Sequence, residues 1–134
     1  MHGFDSFEGL PEQWHVQPKG AYSTCGEVPE VPPNVELHIG WFDATLPVFV
    51  GKNDQPVRFI NVDCDLYSST KTVLDQLAPR IQPGTVLVFD EYVGNDRWRQ
   101  DEFKAFQEAV VEHGWRYEYL AFSVTDFQGS VRIL

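Results

Sequence analysis

Two short apolar runs rich in β-branched residues, Val57 to Val62 and Thr85 to Phe89, each break off into acid: Asp63 after the first, Asp90 and Glu91 after the second. Runs of this kind read as strands buried on both faces of a parallel sheet, since a strand with one wet face alternates more strictly. Between them, Ser69 to Ala78 puts Val73, Leu74 and Leu77 on one helical face, and Pro79 with the Pro83-Gly84 pair stops the helix. Strand, helix, strand makes a βαβ unit, which predicts two central parallel strands joined by a right-handed crossover.

The flanks extend the same pattern. Val35 to Ile39 alternates like a strand and is followed by Gly40 and a short apolar helix candidate from Ala44 to Val50. Arg99 to His113 carries Phe103, Phe106 and Val110 at helical spacing, which predicts a core-facing stripe, and Gly114 suits the position just past a helix end. Tyr117 to Phe122 and Ser130 to Leu134 read as two strands joined by a turn through Asp126 to Gly129, an antiparallel pair closing the sheet. Alternating strands and helices predict an α/β sandwich with helices on both faces. The chain of 134 residues is read as one domain, with a proline-rich extended connection from Gly26 to Asn34.

Composition removes several function classes. A formal net charge of -10 repels phosphate backbones and anionic lipid, so nucleic acid is not an expected partner. No apolar run reaches the roughly twenty residues of a membrane span and no basic start precedes an apolar stretch, so a soluble cytoplasmic protein is expected. Cys25 and Cys64 lack metal or redox spacing, and Cys64 sits in an apolar strand pattern as a small buried residue. The four histidines fall in no catalytic or metal-binding spacing along the chain.

In open α/β sheets, ligands bind beyond the carboxyl ends of the strands, and Asp63, Asp90 and Glu91 lie at those ends. If the two strands are neighbours, these carboxylates converge, and like charges that close resist joint ionisation unless a divalent cation neutralises them. All-oxygen donors favour Mg²⁺, Ca²⁺ or Mn²⁺. A second reading is equally open on the residues alone: the acids cap the following helices and are solvated. Asp65 stands beside Asp63 as an alternative ligand.

Four ordered stretches, Gly3-Phe4-Asp5-Ser6-Phe7-Glu8-Gly9-Leu10-Pro11, Gly40-Trp41-Phe42-Asp43-Ala44-Thr45-Leu46-Pro47, Val62 to Thr70 and Phe89-Asp90-Glu91-Tyr92, resemble the successive signatures of the macrocin O-methyltransferase family. The resemblance implies a Rossmann-like class I fold, S-adenosylmethionine as methyl donor, and a small-molecule hydroxyl, on a sugar or natural product, as acceptor. It implies Mg²⁺ held by Asp63, Asp90 and Glu91, with Asp63 also taking the acceptor proton. It further implies cofactor binding by Asp5 at the ribose and by Trp41, Phe42 and Asp43 around the adenine. Where the family usually has Asp-Asp-Tyr, this chain has Asp90-Glu91-Tyr92. By the same resemblance Lys19 to Tyr22 belongs to a lid; Arg97, Trp98 and Arg99 are candidates for an acceptor pocket on their chemistry, an aromatic face suiting a sugar and Arg an anionic group, with surface packing in a loop the equal alternative.

Folds of the resembling kind have the sheet order 3-2-1-4-5-7-6 and open on a strand and a glycine-rich cofactor loop, which have no counterpart here; a start upstream of Met1 would supply them. Without that central strand, the Val35 to Ile39 and Val57 to Val62 strands are expected either to pair directly or to exchange strands in a homodimer. The alternative function is a catalytically inactive methyltransferase-like module serving in oligomerisation or binding.

Overall fold

The computed structural model describes residues 1–134. Six strands and three helices follow in chain order: β1 (His2–Asp5), β2 (Glu36–Ile39), α1 (Phe42–Lys52), β3 (Val57–Val62), α2 (Tyr67–Leu77), β4 (Ile81–Phe89), α3 (Glu102–His113), β5 (Tyr117–Phe122) and β6 (Gly129–Ile133). No helix is long and apolar enough to cross a membrane. The chain divides into two compact units, Met1–Phe49 and Val50–Leu134.

In the first unit β1 and β2 form a two-stranded parallel sheet, His2 opposite Glu36 and Asp5 opposite Ile39. The connection between them is held by backbone bonds: Leu10 N–H donates to Ala21 O at 2.9 Å and Gly20 N–H to Leu10 O at 2.8 Å. That close approach explains Gly9, which has φ of 79° and where an added Cβ would lie 2.3 Å from Ala21 O. The predicted lid segment is thus tied to the loop that follows β1. The stretch holding Pro29, Pro32 and Pro33 forms neither helix nor strand, as expected. Gly40, at φ of 136°, turns the chain from β2 into α1.

The second unit is a four-stranded mixed sheet in the order β3-β4-β6-β5. β3 and β4 are parallel, with Val62 opposite Phe89, and β6 runs antiparallel to both β4 and β5. Here β3, β4, β6 and β5 stand in the expected 4-5-7-6 places, and β1 with β2 in those of 2 and 3. One expectation is overturned: the Glu36–Ile39 strand and the Val57–Val62 strand do not pair directly, since they belong to separate sheets in which β2 is bonded to β1 and β3 to β4.

Burial along β3 and β4 also differs from the two-sided expectation. Ile60 and Val62 are buried while Phe59 and Asn61 are exposed, and Thr85, Leu87 and Phe89 are buried while Val86 and Val88 are half-buried. The helices α2 and α3 explain the asymmetry, for they pack side by side on the face that carries Phe89, whose ring lies 5.1 Å from that of Phe106. Thr70, Val73, Leu74 and Leu77 form the buried stripe of α2, the i, i+3, i+4, i+7 pattern read from the sequence. On α3 the buried stripe is Glu102, Ala105, Phe106 and Ala109, one position round from the predicted Phe103 and Val110. The two alanines let the helix approach the sheet closely, and Glu102 faces inward for a reason given below.

Strand β4 begins earlier than its apolar run suggests. Its register against β3 jumps from Val57 opposite Ile81 to Phe59 opposite Val86, so Pro83 and Gly84 bulge out of the ladder. Thr85 repairs the bulge by donating from Oγ1 to Val57 O at 2.6 Å and accepting from Gln82 N–H at 3.1 Å. Helix α3 ends at Gly114, left-handed at φ of 65°, with its N–H on Val110 O.

Candidate active site

The parallel register that sets Val62 opposite Phe89 makes Asp63 and Asp90 the first residues past two neighbouring strand ends. Asp90 N–H still donates to Val62 O at 3.0 Å, so the two exits stay together for one residue beyond the sheet. After β3 the chain turns sharply: Leu66 N–H reaches Cys64 O at 2.5 Å across Asp65, which takes φ of 61°. A positive φ is uncommon outside glycine, and aspartate is among the residues that tolerate it best. The turn delivers Tyr67 to the first position of α2.

Electrostatics place the acids in one field. The Asp65 carboxyl is pushed up to about 6, first by burial and then by Asp63, Glu91, Asp90 and Asp101. Asp90 Oδ1 accepts from Gln128 Nε2 at 2.5 Å, and Glu91 Oε2 accepts from Asn95 Nδ2 at 3.0 Å. Beneath them Glu102, fully buried at the start of α3, accepts the Glu91 backbone N–H on Oε2 at 3.0 Å. Burial pushes the Glu102 carboxyl up to about 8; the Glu91 and Cys64 backbones pull it down less, and Asp65 and Asp63 raise it further. Its other oxygen, Oε1, is buried without a hydrogen-bond partner. Cys64, expected as a buried strand residue, lies just past the end of β3 and is half-buried, its thiol pushed up chiefly by burial and its Sγ 3.4 Å from Thr70 Oγ1.

The residues assigned to the cofactor gather separately in the first unit. Asp5 ends β1 and accepts Phe7 N–H on Oδ1 at 2.7 Å, while its carbonyl accepts Gly40 N–H at 2.9 Å, joining the two strand ends. Trp41 is partly exposed, and its carbonyl accepts the N–H groups of Ala44 and Thr45. Phe42 and Asp43 open α1, where an acid suits the positive end of the helix. Asp5 therefore already serves its own turn through one oxygen.

Residues 1–92 match the family model described as "Methyltransferase domain". The chain belongs to this methyltransferase family. Over 78 residues the chain is 35% identical to an 8-demethyl-8-(2,3-dimethoxy-alpha-L-rhamnosyl)-tetracenomycin-C 4'-O-methyltransferase from Streptomyces olivaceus, a stretch that is 58% of this chain and 25% of the relative. Its fold matches the calicheamicin methyltransferase CalS11 with a TM-score of 0.75 at 21% identity, covering 98% of this chain and 59% of that one. It matches the O-methyltransferase NovP with a TM-score of 0.69 at 21% identity, over 98% and 58%. The chain thus spans a quarter of the length of the curated relative and under three-fifths of these two structures. The fold is the Rossmann-like one of class I methyltransferases.

The sequence alone did not point to Glu102 and Asp101. Both are buried beside the acidic rim although they open a helix whose first turn is ordinarily wet. The signal available was Glu102 in the i, i+3, i+4, i+7 register with Ala105, Phe106 and Ala109, which only a buried acid could satisfy. The loop aromatics resolve into local packing: Trp98 meets Phe103 edge-on with centroids 4.8 Å apart, and the Arg99 guanidinium lies 4.0 Å over the Trp98 ring. Tyr92 is a core residue, its ring against Phe89 and its hydroxyl 3.1 Å from that of Tyr119.

Proposed function

We propose that this domain carries out S-adenosylmethionine-dependent methylation of a hydroxyl on a small molecule, of the macrocin O-methyltransferase kind, with a sugar of a natural product as acceptor. The observation that supports the reading is the placement of Asp63, and of Asp90 with Glu91, directly past two neighbouring parallel strand ends that stay bonded through Asp90 N–H and Val62 O. A relative named as a rhamnosyl-tetracenomycin 4'-O-methyltransferase supports the acceptor class.

The donors are hard carboxylate oxygens of the type a divalent cation takes, though they are not drawn to within ligand spacing of one another. Asp63, Asp90 and Glu91 offer carboxylate oxygens, and the raised carboxyls of Asp65 and Glu102 mark an excess of negative charge that a cation would relieve. When bound, Mg²⁺ would acidify the acceptor hydroxyl and S-adenosylmethionine would supply an electrophilic methyl on sulfur. Asp63 is the base that takes the hydroxyl proton, so that the oxygen forms its new bond to carbon as the carbon–sulfur bond breaks. Gln128 and Asn95 orient the carboxylates of Asp90 and Glu91 through the bonds already described, and Glu102 anchors Glu91 by its backbone. Asp5, Trp41, Phe42 and Asp43 bind the ribose and adenine. Asp65 stays protonated in part near neutral pH and is the reserve ligand.

Calorimetric titration with S-adenosylhomocysteine, with and without Mg²⁺, tests the reading. Saturable heat that strengthens with Mg²⁺ and weakens in Asp90→Asn supports it. No heat at millimolar ligand overturns it in favour of a methyltransferase-like module that binds no cofactor.

A further inference from the structure

We propose that His2, Glu36 and His38 form a binding site for a divalent transition-metal ion of the Zn²⁺ class, clamping β1 to β2. The site is distinct in place and chemistry from the acidic rim. His2 stands opposite Glu36 and Phe4 opposite His38, so both histidines and the glutamate project from one face of the two-stranded sheet. His2 Nδ1 lies 3.1 Å from His38 Nε2, Glu36 Oε2 lies 3.6 Å from His2 Nδ1, and Glu36 Oε1 lies 3.9 Å from His38 Nε2. Ligands at about 2.0–2.1 Å from a tetrahedral Zn²⁺ stand roughly 3.3 Å apart, close to the spacing of the two facing imidazole nitrogens, and one Glu36 oxygen lies within 4.8 Å of both. The fourth corner faces solvent, since Glu36 and His2 are exposed.

The donors are held rather than loose. Phe4 stacks on His38 with centroids 4.5 Å apart and planes 12° from parallel, and Phe49 packs 4.7 Å from His2 and 5.4 Å from His38. Rings locked this way meet a metal without losing rotational freedom at that step. In the metal-free chain one N–H bridges the two facing nitrogens. Binding moves that proton to the far nitrogen of its own ring, which frees both lone pairs.

A second cluster shows why this one is singled out. Asp75, Glu112 and His113 also converge, but Lys71 Nζ already lies 2.5 Å from Asp75 and 2.8 Å from Glu112, so their charge is met by the protein. Glu36 has only the two histidines as ion-pair partners. Two imidazoles with one carboxylate select Zn²⁺, Ni²⁺, Co²⁺ or Cu²⁺ over Mg²⁺ and Ca²⁺. The benefit is mechanical: a sheet of two four-residue strands is marginal in water, and a metal with ligands on both strands holds it closed.

The test is titration of the full chain with ZnCl₂ in excess Mg²⁺, followed by calorimetry and melting temperature. Wild type should bind one Zn²⁺ that His38→Phe and His2→Phe do not, and its Zn²⁺-induced rise in melting temperature should vanish in both. Phenylalanine keeps the ring packing, and Glu36→Gln, expected to weaken the site, covers the case of a variant that fails to fold. Asp90→Asn and His113→Ala should retain the site, which separates it from the acidic rim and from the Lys71 cluster. Co²⁺ in place of Zn²⁺ should give the strong visible absorption of a tetrahedral complex. Equal Zn²⁺ stoichiometry and melting shift in wild type and both histidine variants would overturn the proposal.

Discussion

Glu102 Oε2 and the backbone N–H of Glu91 meet at 3.0 Å, so a carboxyl at the start of α3 holds the turn that presents the acidic pair after β4. The bond explains why α3 turns Glu102 inward, displacing Phe103 from the stripe that its spacing predicts.

Glu102→Ala should cost about 2–4 kcal/mol, because it leaves a cavity and strands the Glu91 N–H without a partner. Glu102→Gln keeps both shape and acceptor and should cost less than about 1 kcal/mol. Urea unfolding of the two variants measures the difference, and near-equal midpoints would refute the anchoring role.

Stability should fall as pH rises from about 5 to about 8. Glu102 in the fold is pushed up to about 8 and Asp65 to about 6, both above their ordinary values, so the folded chain binds more protons than the unfolded one across that interval. The favourable contribution is complete below the ordinary carboxyl range and is lost through the raised values, on the order of a few kcal/mol for the buried group. Thermal melts across this range should slope down in wild type and flatten in Glu102→Gln.

On the proposed reading, Asp90→Asn should lower methyl transfer by on the order of 10²-fold and weaken Mg²⁺ binding, since it would remove a charged ligand. Glu91→Asp should keep Mg²⁺ binding, the shorter acid being the one the resembling family carries at that place. Mg²⁺ titrations of both variants decide it. Tighter binding by Asp90→Asn would remove the metal role.

Gly129→Ala should destabilise by about 1–3 kcal/mol through overpacking. An added Cβ would lie 2.5 Å from the Tyr92 ring, which is buried and cannot give way. Tyr92→Ala in the same chain should make the alanine tolerable, and a double-mutant cycle reads that coupling.

Strand and helix order, the Gly114 cap and the α2 stripe were legible because each rests on local periodicity. Asp63 and Asp90 could be brought together from one βαβ crossover, since parallel neighbours end at the same rim. What was not legible depends on partners far apart in sequence. The Pro83-Gly84 bulge needs Val57 to close it through Thr85, and Glu102 turns inward only because Glu91, eleven residues earlier, offers an N–H. His2 and His38 look incidental along the chain, for nothing local says that β1 and β2 lie side by side. The one-sided burial of β3 has the same origin, as the face α2 and α3 cover is a tertiary outcome.

β3 also stands at the end of its sheet, and Phe59 on its uncovered face is more than half exposed. Colloidal behaviour should follow: mutual repulsion from ten net negative charges keeps copies apart at neutral pH, and acidification toward the isoelectric point near 4.6 removes that barrier. Clouding of the solution on acidification, suppressed by a lysine in place of Phe59, would be the visible trace of a strand with an empty side.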